Sequence, residues 1–183
     1  MRIQFNDDNS NRGIEGWYEI KNDKLVIFLT ATNSREDWLS NFTAFPLYSN
    51  YSGCCVHAGY TDYAVWVADL ILDIAITNEI DAENIILFGY SMGGGIAQIV
   101  GADMTDINIV SIDGPRTTSK VNDNMRLIYN YGSLVHNVPI WFKKIKKRIV
   151  LNEAWKPFWK AHADYDIDAI IAEYNIEQEA LCG

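Results

Sequence analysis

Apolar positions along this chain come in short runs broken by polar turns. Leu25 to Leu29 is nearly continuous, which predicts a strand buried on both faces of a covered sheet. Ahead of it, Trp17, Tyr18 and Ile20 lead into Asn22-Asp23, so "GWYEIKNDKLVIFLTA" reads as a hairpin. "NSREDWLSNFTAFPLYSNYSG" is dense in turn formers and reads as irregular. "GCCVHAG" reads as a short strand. From Thr61 to Ile80 the period becomes helical: Tyr63, Val67, Leu70 and Ile74 form one stripe, and Asp62, Asp69 and Asp73 lie on another face. Strand Asn84–Phe88, helix Gly94–Asp103 and strand Ile107–Ile112 follow. Arg126–Tyr131 and Arg148–Leu151 read as further strands, and "DYDIDAIIAEYN" as a closing helix. Strands alternating with helices across short joins imply right-handed crossovers and a mostly parallel central sheet. The expected fold is a three-layer α/β sandwich with an N-terminal antiparallel hairpin.

Composition narrows the function classes. With 183 residues, 49% hydrophobic and 21% charged, a single domain over residues 1–183 is expected, with a core of its own. The formal net charge of −9 disfavours a nucleic-acid partner. Lys143, Lys144, Lys146, Lys147 and Arg148 run against that trend and read as a solvated loop entering a strand. An odd set of cysteines, Cys54, Cys55 and Cys182, has no metal-ligand spacing and does not suggest a disulfide framework. "MRIQFNDDNSNRG" carries no signal-peptide core, and no apolar run reaches the roughly 18 residues of a membrane span. A reduced, cytoplasmic setting is the expectation.

"NIILFGYSMGGGIAQIVGA" carries the candidate chemistry. Gly89-Tyr90-Ser91-Met92-Gly93 matches G-x-S-x-G where a predicted strand meets a predicted helix. The serine there must leave a strand and enter a helix within one residue. That turn projects its hydroxyl from the carboxyl edge of the sheet. The helix N-terminus behind it aims the Met92 N–H at a developing oxyanion. A glycine-rich phosphate turn is the alternative, but no P-loop lysine is present, since none occurs between Lys24 and Lys120.

This block resembles the strand-elbow-helix block of the class 3 lipases, which are α/β-hydrolases. Four more segments resemble that family in its order: "LTATNSREDWLSNF", "VHAGYTDY", "IDGPRTTS" and "NYGSLVHNVP". The resemblance implies an α/β-hydrolase-type sandwich and a serine carboxylester hydrolase, lipase-like or esterase-like. α/β-Hydrolases run serine, acid, histidine along the chain, and His162 fits that order as the base. His136 is the reserve, and the resemblance gives His57 a scaffold role. Where the family keeps its aspartate, this chain has Ser133, which cannot supply a negative charge. Asp113, at the end of the preceding strand, is the replacement proposed for the acid; a turn role before Gly114-Pro115 is its alternative. Asp164 and Asp166 read as helix caps. Thr32 carries over as the second oxyanion donor beside Met92, although Thr30 and Ala31 replace the family's arginine and glycine.

The expected substrate is a small-molecule ester or lipid, with no metal or organic cofactor and peripheral lipid contact at most. Trp38, Phe42, Phe45, Tyr48 and Tyr51 are candidates for an acyl groove or a local apolar cluster. Two other readings stay open: an acyltransferase or thioesterase on the same scaffold, and a catalytically silent binding module suggested by Ser133. Oligomeric state is not legible.

Overall fold

A computed structural model of the chain describes residues 1–6, 14–31, 45–151, 157–163 and 165–181. The predicted hairpin is β2 (Ile14–Lys21) and β3 (Lys24–Ala31), paired from Ile14↔Ala31 to Lys21↔Lys24. Its turn residues Asn22 and Asp23 have φ of 51° and 58°. That mirror-image turn matches the twist of a two-residue hairpin, and Asn and Asp tolerate it best after glycine. β1 (Ile3–Asn6) extends the hairpin by antiparallel pairing with β2. The sequence reading missed this strand because four residues with one polar partner in two give little periodic signal.

Beyond β3 the sheet is parallel. β6 (Ile85–Tyr90), β7 (Asn108–Ile112), β8 (Met125–Tyr129) and β9 (Lys147–Val150) lie side by side, in the order β1-β2-β3-β6-β7-β8-β9. β4 (Pro46–Ser49) and β5 (Cys54–His57) form a separate two-stranded sheet. β4 lies in the stretch expected to be irregular: turn formers flank it on both sides and mask a four-residue strand.

Strand parity sorts the core into two. Leu25, Ile27 and Leu29 of β3 and Leu87 of β6 pack with α1 (Thr61–Thr77) and α2 (Met92–Asp103) on one face. Val26, Phe28, Ile86 and Phe88 face the other way, against Ile170, Ile171 and Tyr174 of α4 (Ile167–Leu181). Helices cover both faces, which is the three-layer arrangement expected. Each fully buried aliphatic side chain contributes roughly 1.5–3 kcal/mol, so the continuous β3 and β6 runs anchor the molecule at its centre.

The buried face of α1 is Ala64, Val67, Ala68, Ile71, Ile74 and Ala75, rotated from the stripe expected. Tyr63 and Leu70 lie at its margin, half-buried against the same core. The bulky residues misplaced the stripe: small alanines line the buried face, where α1 packs against α2, because they allow close approach. Cys54 is buried and Cys55 half-buried, and both are free thiols. Among the described residues no helix is long and apolar enough to cross a membrane.

Candidate active site

Ser91 sits between β6 and α2 with φ 54° and ψ −120°. A non-glycine residue there costs about 1–3 kcal/mol, so the fold around it must hold it in place. Two backbone bonds do so: the Ser91 N–H donates to Ile112 O at 2.9 Å, and the Gly95 N–H donates to Ser91 O at 3.2 Å. The flanking glycines are required by space. A Cβ on Gly89 would lie 2.2 Å from Gly93 O, and one on Gly93 would lie 2.5 Å from Leu29 O. Helix and strands therefore touch backbone to backbone at the corner.

Ser91 Oγ lies 3.0 Å from His162 Nε2. His162 is carried by α3 (Phe158–Ala163), a short helix that the sequence reading did not place. Its Nδ1 lies 2.9 Å from Asp113 Oδ2. An ionised carboxylate only accepts, so the ring proton belongs on Nδ1 and the Nε2 lone pair faces the serine hydroxyl. Asp113 follows β7 with φ 47°, a second strained position, and its N–H donates to Ile128 O at 2.8 Å.

Asp113 is fully buried. Burial is the largest influence on its carboxyl and pushes the pKa up. Hydrogen bonds from His136, His162 and Ser133, with the charge of His162, outweigh it and hold the pKa below the usual carboxylate range. Ser133 Oγ donates to Asp113 Oδ2, the oxygen that also meets His162. The serine at the family's acid position thus bonds the carboxylate that reaches the ring from the neighbouring strand.

The structure separates the three histidines. His136 is buried, with Nδ1 3.2 Å from Asp113 Oδ1 and Nε2 3.0 Å from Asn137 Nδ2. Both ring nitrogens are engaged away from Ser91. His57 is buried and stacks on Tyr60 with ring centroids 4.2 Å apart. Asp166 Oδ1 accepts from the Ala169 N–H at 3.0 Å, a cap at the start of α4. Asp164, Trp38, Phe42 and Thr32 lie outside the described residues. Met92 opens α2 directly after Ser91. Phe45 and Tyr48 are largely exposed, and Tyr51 is exposed in part.

Two tyrosines went unread in the sequence. Tyr90 stacks on His162 at 5.4 Å between centroids, and its hydroxyl donates to His162 O. Burial, then the nearby Asp113 charge, pushes the Tyr90 pKa up to about 12, so the hydroxyl stays a donor. Tyr165 packs on Tyr90 and accepts from the Asn130 N–H at 2.8 Å. Parity was the available signal: Tyr90 follows Ile86 and Phe88 on the face that α4 covers. An open cleft of about 660 Å³ is bordered by Trp17, Phe28, Ala163 and Tyr165, but by none of Ser91, His162 or Asp113.

The family model "Lipase (class 3)" matches residues 26–125, which is 100 of the 183 residues. Three solved structures resemble the fold. The Lip2 lipase of Yarrowia lipolytica is 17% identical, with a TM-score of 0.65 over 84% of this chain and 65% of that one. The lipase of Rhizopus microsporus var. chinensis is also 17% identical, with a TM-score of 0.58 over 75% of this chain and 55% of that one. Lipase II from Rhizopus niveus is 18% identical, with a TM-score of 0.57 over 75% and 59%. The chain therefore spans between 55% and 65% of the length of these structures.

Proposed function

The chain belongs to the class 3 lipase family, and from that premise we propose that it is a serine carboxylester hydrolase working through an acyl-serine. The observation that carries the reading is the hydrogen-bonded series Ser91–His162–Asp113, at 3.0 and 2.9 Å.

Ser91 Oγ attacks the ester carbonyl carbon as its proton passes to His162 Nε2. The carbonyl oxygen becomes an oxyanion, to which the Met92 N–H donates from the start of α2; Thr32 is the proposed second donor. Asp113, ionised and buried, stabilises the imidazolium and fixes its tautomer. Collapse of the tetrahedral intermediate breaks the bond to the alcohol, which leaves with the proton from His162. Water then gives a proton to His162, attacks the acyl-serine and releases the acid, and Ser91 recovers its proton. The substrate class is a small ester or a lipid ester.

A silent member of the family would lack the acid at position 133 and have nothing in its place. Asp113 supports the active reading because it supplies the carboxylate from the adjacent strand. Hydrolysis of p-nitrophenyl esters of graded chain length tests the proposal. The native chain should turn over at least the short esters, and Ser91→Ala should lose all but background. Equal rates from both proteins would refute it. Release of alcohol without free acid, in the presence of a nucleophilic acceptor, would point instead to an acyltransferase.

A further inference from the structure

Asp113 is shared by two imidazoles, and the proposed chemistry uses only one. Oδ2 accepts from Ser133 and His162, while His136 Nδ1 meets Oδ1 at 3.2 Å. The direction of that last bond follows from a group farther out. The Arg116 guanidinium can only donate. It lies 3.2 Å from Asn137 Oδ1, so the amide nitrogen of Asn137 faces away from it and toward His136. That nitrogen then donates to His136 Nε2 at 3.0 Å. With Nε2 accepting, the ring proton sits on Nδ1 and points at Asp113.

Resting on the hydrolase reading above, we infer that His136 is a positioning residue. Locked in one tautomer by Asn137 and Arg116, it holds one oxygen of Asp113 so that the other meets His162. The surroundings leave the ring little alternative. His136 is 4% exposed and lies against Tyr129, with centroids 4.0 Å apart. The loop that carries it is tied to the segment after β7. Arg116 Nε donates to His136 O at 3.3 Å, and the Arg116 N–H donates to Val138 O at 2.9 Å. Every bond in the series has a fixed polarity, from guanidinium to amide to imidazole to carboxylate. Such a series aims a buried carboxylate that would otherwise pivot about its own Cβ.

Catalysis reads out the role in kcat rather than in KM. The groups facing Asp113 are Ser133 and His136 on the loop after β8, His162 on α3, and Tyr90 and Tyr165 beside it. Hydrogen bonds from Ser133, His136 and His162 keep the carboxyl ionised, so losing one donor changes its aim. His136→Phe keeps the contact with Tyr129 and removes the donor. His136→Asn places an amide N–H near the position of Nδ1. His136→Phe should lower kcat by about tenfold or more and leave KM within about twofold. His136→Asn should recover most of the rate. Native kinetics in His136→Phe would overturn the role. So would an equal loss in both variants at native melting temperature, because packing alone would then explain it. Nitrogen NMR of the native chain gives a readout independent of turnover and of variant folding: the His136 proton should sit on Nδ1. A proton on Nε2 overturns this inference alone, whereas a native chain without esterase activity overturns the hydrolase reading and this role with it.

Discussion

At the residue scale the site combines strain with charge. Ser91 and Asp113 both have positive φ, at 54° and 47°. Ser91→Gly removes the steric penalty at that corner but adds freedom to the unfolded chain. The first effect is the larger, so the variant should unfold about 1 kcal/mol less readily, measured by urea titration, while losing turnover. The donors around Asp113 hold its pKa below the ordinary carboxylate value, against the effect of burial. A depressed carboxylate stabilises the fold above its unfolded pKa, and that stabilisation is lost as pH falls through the lower folded value. Stability of the native chain should therefore decline below about pH 4, and Asp113→Asn should show a smaller decline over that window. Ser91 was legible because its motif has a mechanical meaning, and His162 because of chain order. The role of Ser133 as a donor to Asp113 was not legible: only the register of β7 and β8 brings the two together.

Elements set where those residues can stand. β6 must meet α2 through Gly89 and Gly93, with no room for a Cβ on either. Gly89→Ala should cost about 2–4 kcal/mol of stability or prevent folding; a native melting temperature would contradict the close-contact account. The loops after β7 and β8 both reach His162 through one carboxylate oxygen, which suggests that the acid can be supplied from either. Asp113→Ser should reduce kcat about 100-fold to 10,000-fold. Adding Ser133→Asp to it should recover at least tenfold; no recovery would mean that the loop after β8 can no longer aim an acid at the ring. The central strands and α2 were legible because five or more apolar residues carry a clear period. β1, β4 and α3 were not, since polar or turn-forming residues break up or crowd their short apolar runs. The buried stripe of α1 was misread because alanine carries less hydrophobic weight than tyrosine or leucine, although it packs closer.

For the whole molecule, the two cores and the order of the parallel strands place Ser91 and Asp113 at one sheet edge, where both meet His162. β9 closes the other side of the sheet as an exposed edge strand bearing Lys147 and Arg148. Cations on an edge discourage pairing with another chain. Replacing both by valine should increase concentration-dependent association in light scattering, with little change in ester turnover per folded molecule. The layer architecture was readable from alternation alone. The gathering of Ser91, His162 and Asp113, which are up to 71 residues apart along the chain, came instead from family order combined with the rule that functional groups collect at the carboxyl ends of parallel strands.

The central claim is that Ser91 is activated by an imidazole which Asp113 holds in place, and the rate of covalent labelling by a fluorophosphonate tests it most directly. Mass spectrometry of the native chain should find one adduct, on Ser91, forming at least about 100-fold faster than in His162→Ala. No Ser91 adduct after prolonged exposure, or the same rate with and without the His162 ring, would contradict the account.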